Sequence, residues 1–187
     1  MADIAALRAK QRQQSIPRLL YQVWPKPLGL TLIAEALAPD EACSVDDLAR
    51  ALAYLHDRGL IRSQPERAHA APIYYLTADG VDAVETAAAQ TDPTRTHHTR
   101  MLRLRVLQAL SWGAPAPMGE GLISTALATD TDLDLSGPSI RRALTYLVER
   151  HLAVDRGAGM FGLTADGIDY LAGDGAGVAG IARPVDW

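Results

Sequence analysis

Several side chains in the second half of the chain have the chemistry to hold a polyanion. Ser139, Arg141, Arg142 and Thr145 are interleaved with Ile140, Leu144 and Leu147, the apolar stripe of an amphipathic helix. Helical spacing therefore turns the polar set to the side or outer face. An arginine so placed can take guanine O6 and N7 in bidentate fashion or hold a phosphate, and the hydroxyls can contact either. Arg156, in the Gly-rich stretch that follows, is a further candidate phosphate contact. In the first half Arg50 has the same helical context as Arg142, while Arg62, Arg67 and His69 lie in and around a polar connection between two apolar runs. Between the halves, residues 94–105 carry Arg95, His97, His98, Arg100, Arg103 and Arg105. This basic connector offers Arg100 and Arg103 to a phosphate backbone. Each of these cations also reads as a solvated helix or linker charge.

The two halves differ in what surrounds these cations. Where the second offers Pro138, Ser139 and Arg141, the first offers Asp46, Asp47 and Ala49. Carboxylates at that turn repel phosphate, although capping and the helix dipole explain them without a ligand. The first half is thus expected to use its polar connection, or to have a different role.

Chemistry of other kinds is absent from the sequence. It contains no phosphate-cradling P-loop, no Gly-x-Ser-x-Gly elbow and no His-Glu-x-x-His. The five histidines have no convergent acid–base partners, and the adjacent His97 and His98 lack the i, i+4 spacing of a helical metal pair. Gly175, Gly177 and Gly180 spell Gly-x-Gly-x-x-Gly, but the dinucleotide fingerprint needs a helix after it, and seven residues follow. No catalytic residue, cofactor or metal is expected.

Composition agrees with a globular protein. The 187 residues are 48% hydrophobic and 21% charged, with a net charge of -4, which argues against a polycation that coats nucleic acid through bulk charge. Basic residues concentrate in 1–14 and 91–105, whereas 15–90 and 106–172 are acidic. No apolar run is long enough to span a bilayer and the amino terminus lacks a secretory pattern, so a cytoplasmic protein without a membrane partner is expected. The single cysteine, Cys43, makes no intramolecular disulfide.

An internal repeat organises these features. The string RALAYLHDRGL from Arg50 recurs as RALTYLVERHL from Arg142, an offset of 92, and LTADGVD from Leu76 recurs as LTADGID from Leu163, an offset of 87. Upstream, Leu28, Gly29, Leu32 and Ile33 correspond to Met118, Gly119, Leu122 and Ile123 at offset 90. Each copy reads as three helices, a hairpin and a fourth helix. In the first copy a short helix is predicted around Leu19, Leu20, Val23 and Trp24, a second over 28–38, and a third capped by Ser44 and ended by a left-handed turn at Gly59. Residues 155–159 read as a compact hairpin turn. Trp24 and Trp112 are placed in equivalent core positions. The domain reading is a basic extension over 1–14, one domain over 15–92, a second over 93–172 that begins with the connector, and a flexible Gly/Ala-rich tail over 173–187.

The strings YLHDRGLI and LTADGVDAVE, and again YLVERHLAV and LTADGIDYL, resemble the third-helix end and wing exit of winged helix-turn-helix proteins. They are similar to those of bacterial MarR-, PadR- and ArsR-like regulators and of small winged-helix proteins of Mu-like phages. The resemblance covers 15–172. It implies a mainly α fold with small β-hairpins (α+β) in two tandem winged-helix domains, with double-stranded DNA as partner and transcription regulation as function. The third helix would enter the major groove and the wing would touch an adjacent groove or backbone. Two such helices per chain could read paired half-sites, and the amino-terminal helix could pair subunits in a homodimer. The competing expectation is a protein-binding scaffold, similar in architecture to segregation and condensation protein B, which the acidic charge of each copy favours.

Overall fold

The first helix is longer than its apolar stripe predicts. In the computed structural model, which describes residues 2–38, 44–65, 71–174 and 177–184, α1 runs without a break over Ala2–Val23. Ile16 and Leu20 on this helix, and Trp24 just past its end, recur every fourth residue on one buried face. The expected extension is part of the same helix, and its Arg12 is buried at 7% exposure. Its guanidinium reaches Asp47 at 3.5 Å, which ties the amino-terminal turns to the rest of the fold.

The chain forms two compact units, divided between Val84 and Glu85. In the first, α1 is followed by β1 (Leu28–Gly29), α2 (Leu30–Leu37), α3 (Val45–Asp57), β2 (Ile61–Pro65), β3 (Pro72–Leu76) and α4 (Ala78–Ala89), the last containing the division. The second has α5 (Pro93–Gly113), β4 (Met118–Gly119), α6 (Glu120–Ala126), α7 (Gly137–Glu149), β5 (Ala153–Asp155), β6 (Met160–Leu163) and α8 (Ala165–Ala172). Each unit is therefore mainly helical with one small antiparallel sheet, in strand order β1-β3-β2 and β4-β6-β5. The predicted hairpins are present. The short strands β1, where a helix over 28–38 is expected, and β4 add a third strand to each sheet by pairing with β3 and β6.

The repeated Leu-Thr-Ala-Asp-Gly segment has a physical explanation in both units. Thr77 caps α4 by accepting a hydrogen bond from the Gly80 amide at 3.1 Å, and its hydroxyl donates to the Gly59 carbonyl at 2.7 Å. Thr164 does the same for α8, accepting from the Gly167 amide at 3.1 Å and donating to the His151 carbonyl at 2.6 Å. A Cβ on Gly80 would lie 2.1 Å from the Leu60 carbonyl oxygen, and one on Gly167 would lie 2.2 Å from that of Leu152. Glycine is required there because the helix start presses directly on backbone. Gly59 has the expected left-handed conformation, φ +70°, which His151 adopts in the second unit at φ +60°.

Two parts of the domain reading are corrected. The connector is no linker: Asp92 caps α5 through the Arg95 amide at 3.0 Å and the helix continues for 21 residues. The carboxyl-terminal segment is not a loose tail over 177–184. Ile181 and Ala182 are buried, the Tyr170 hydroxyl donates to the Ala182 carbonyl at 3.1 Å, and the Arg103 guanidinium donates to the Gly180 carbonyl at 2.8 Å. Trp112 is also not a core residue. The register of β1 and β4 matches it to Gln22, and it is 63% exposed, whereas Trp24 is buried with its indole N–H on the Leu76 carbonyl at 3.1 Å.

Candidate nucleic-acid interface

The packing of α7 divides its residues as the periodicity predicts. Ile140, Ala143, Leu144, Tyr146 and Leu147 are buried, which leaves Arg141 exposed and Ser139, Arg142 and Thr145 partly exposed along the flank. The turn ahead of the helix is organised by Asp134, which accepts hydrogen bonds from the Ser136 amide at 3.1 Å and from the Ser139 hydroxyl. The Ser139 bond first, then those from Ser136 and the charge of Arg142, hold the Asp134 carboxyl below the ordinary carboxylate range. A charged acid therefore stands at the start of α7, where the helix dipole favours an anion. The second unit is not free of carboxylates at this turn, as the linear comparison with Asp46 and Asp47 suggested.

Arg141 is also partnered. Its guanidinium makes a bidentate pair with Glu120 of α6, both contacts at 2.9 Å, and its ordinary value is raised by that hydrogen bonding and charge. The Arg141 side chain is nevertheless 62% exposed. Exposed pairs of this kind contribute little to stability. Thr145 turns its hydroxyl back to the Arg141 carbonyl at 3.0 Å, so its methyl group is the more available surface. Arg156 stands in the hairpin turn between β5 and β6, which closes as predicted with Gly157, Ala158 and Gly159 all at positive φ. It is exposed.

The first unit places its cations differently. At the start of α3, Ser44 accepts a hydrogen bond from the Asp47 amide at 3.2 Å, and the Asp47 carboxylate lies between Arg50 and Arg12. Ser44 and Arg50, then the charge of Arg12, lower the Asp47 value. Arg50 is thus in an exposed ion pair within its own helix. Arg62 lies on β2 with its guanidinium 5.2 Å from the centre of the Tyr75 ring, the residue it faces in the sheet register. Arg67 and His69 lie outside the described residues.

The connector arginines differ in exposure and in partners. Arg103 is 2% exposed. It makes a bidentate pair with Glu85 at 2.5 and 2.8 Å and stacks 3.8 Å from the centre of the Tyr146 ring. No phosphate can reach it, and it is withdrawn as a DNA ligand. Arg105 pairs with Asp130 at 3.3 Å. Arg100 is partly exposed, as Arg142 is, and lines a cleft on α5.

Glu120 and Asp134 are neighbours of these side chains that linear reading does not single out. Glu120 lies 21 residues from Arg141, and no local pattern announces that pairing. Asp134 is detectable in principle, since an Asp two residues before a Ser-Gly-Pro helix start is a common turn device. Among the described residues no group of three or more His, Cys, Asp or Glu is placed to hold a metal ion. No described helix is long and apolar enough to cross a membrane. No protein-family model matches the chain, and no curated protein matches it.

Proposed function

We propose that the chain is a tandem winged helix-turn-helix protein that binds double-stranded DNA chiefly through its second unit, as a transcription regulator. In this reading α7 is the recognition helix. Arg141 and Arg142 reach base edges or phosphates, Ser139 and Thr145 make accessory contacts, and the turn carrying Arg156 is the wing. The observation that carries it is the pairing, within one small unit, of an amphipathic helix whose outer side bears arginines with a hairpin tipped by an exposed arginine. Arg50 and Arg62 supply at most backbone contacts from the first unit.

The acids beside the arginines support a second reading, a protein-binding scaffold. Glu120 and Asp134 lower the positive potential of α7, and Trp112 and Leu122 in the same unit are exposed at 63% and 61%, as partner-binding surfaces are. Selection from a random duplex library followed by anisotropy titration separates the two. DNA binding predicts an enriched sequence and an affinity that falls as salt rises. A stoichiometric protein partner, with no duplex retained at low salt, would replace this proposal with the scaffold.

A further inference from the structure

We propose that the second unit contains a binding site for a small organic oxyanion, in the cleft between α5 and the segment 177–183. The cleft has a volume of about 370 Å³, within the range of small-molecule sites. Its polar side chains are His97, Arg100 and Arg183, and no acidic side chain lines it among the described residues. The inference goes beyond the DNA-binding reading and does not depend on it.

Three neighbouring arginines on one helix make the case. Arg103 has Glu85 and Arg105 has Asp130. Arg100, on the same helix, has no carboxylate partner among the described residues, and its Nε is buried without a hydrogen-bond partner. A partly buried guanidinium without a counter-charge is costly, and such groups are ordinarily found paired. An oxyanion supplied from solution provides the missing charge, and the planar fork of arginine suits carboxylate and phosphate oxygens. Arg183 is placed to add a second cation, since its Nε and Nη2 lie 3.7 Å from where a Cβ on Gly177 would stand. It thus rests against the bare backbone of that glycine.

The opposite wall is built rather than incidental. The Ala182 amide donates to the Arg100 carbonyl at 3.4 Å, and the Ile181 amide donates to the Val178 carbonyl at 3.1 Å. The Tyr170 and Arg103 bonds already described hold Ala182 and Gly180 from behind. Val178, Ile181 and Ala182 make that wall apolar, which selects an oxyanion carrying a compact apolar group over a bare inorganic ion. A second cleft on α5, lined by His97, His98, Arg105, Asp130 and Asp132, has its one arginine paired with Asp130 and a further carboxylate in Asp132, so it offers an anion no unbalanced positive charge.

Titration calorimetry of the full chain with phenyl phosphate, inorganic phosphate and a random-sequence duplex tests the site. Phenyl phosphate should bind one site per chain, about tenfold tighter than inorganic phosphate, and Arg100→Gln and Arg183→Gln should each weaken it about tenfold. Arg8→Gln, an exposed change in the first unit, should leave it unaltered. Arg100 is partly buried, so thermal unfolding checks that variant, and exposed Arg183 keeps the test decisive if it fails to fold. Absence of saturable binding up to about 10 mM, or binding indifferent to Arg183→Gln, overturns the proposal. So does displacement of phenyl phosphate by the duplex with the same dependence on both arginines, because the cleft would then hold backbone phosphate.

Discussion

Tyr54 and Tyr146 occupy the same place in the repeated string, yet Tyr54 is 44% exposed and Tyr146 is completely buried. The difference comes from what lies over the ring. In the second unit Arg103 stacks on Tyr146 at 3.8 Å, and Arg150 lies 5.5 Å from the ring centre while its Nε donates to the Tyr146 hydroxyl at 3.2 Å. The register of the short strands puts Gln13 where the second unit has Arg103. The first unit instead spends its buried arginine, Arg12, on Asp47 at the start of α3. One repeated scaffold thus supports two polar arrangements, one at the start of the third helix and one beneath its middle.

The largest test of that contrast is Arg103→Ala. It leaves the Glu85 carboxylate buried without its partner and uncovers Tyr146, so unfolding of the second unit should become easier by about 3–5 kcal/mol. Chemical denaturation followed by amide exchange in α7 reads it, and a loss below about 1 kcal/mol would show that the pair is dispensable. The shared staple should respond alike in both units. Gly80→Ala and Gly167→Ala each force a Cβ onto a carbonyl oxygen and should cost at least about 1–3 kcal/mol. A harmless substitution at either position would separate the units at a point where they look the same.

Smaller effects sharpen the comparison further. Gly59→Ala should destabilise the first unit by about 1 kcal/mol, and His151→Gly should stabilise the second by a similar or smaller amount, because only glycine takes a positive φ without steric cost. Equal signs for the two changes would contradict the assigned turn. The smallest expected effect is on acid stability. Asp47 and Asp134 are both held below the ordinary value of 3.8. Their charged forms therefore stabilise the folded state above that pH, and the contribution is lost as pH falls through the lowered values. Asp47→Asn and Asp134→Asn should each flatten the acid limb of an unfolding curve, the first in unit one and the second in unit two.

Much of this scaffold was legible in the sequence because its determinants are local. The Ser44 cap, the Gly59 turn and the apolar stripe of α7 all lie within a few residues of the elements they set, whereas Gly80 and Gly167 press on carbonyls of Leu60 and Leu152 that no local pattern announces. The site was legible only in part. Arg141 and Arg156 were placed on the surface by periodicity and turn chemistry. Arg103 was misread because its partners, Glu85 and the Gly180 carbonyl, lie 18 and 77 residues away, and a basic run looks the same in sequence whether its members point outward or inward. The segment 177–184 was misread by composition: Gly and Ala suggest a linker, but Ile181 and Ala182 are buried and Tyr170 has a polar hydroxyl to satisfy. The two-residue strands β1 and β4 are too short for a period to register.

The central claim is that α7 and the turn at Arg156 meet DNA. It is tested most directly by measuring duplex affinity against salt concentration for the intact chain, for the Arg141→Ala, Arg142→Ala, Arg156→Ala triple variant, and for Arg50→Ala in the first unit. The triple variant should lose binding at least about a hundredfold and reduce the salt slope by up to about three, while Arg50→Ala stays within about twofold. A triple variant that binds selected duplex as the unaltered chain does, with the same salt slope, would contradict the account.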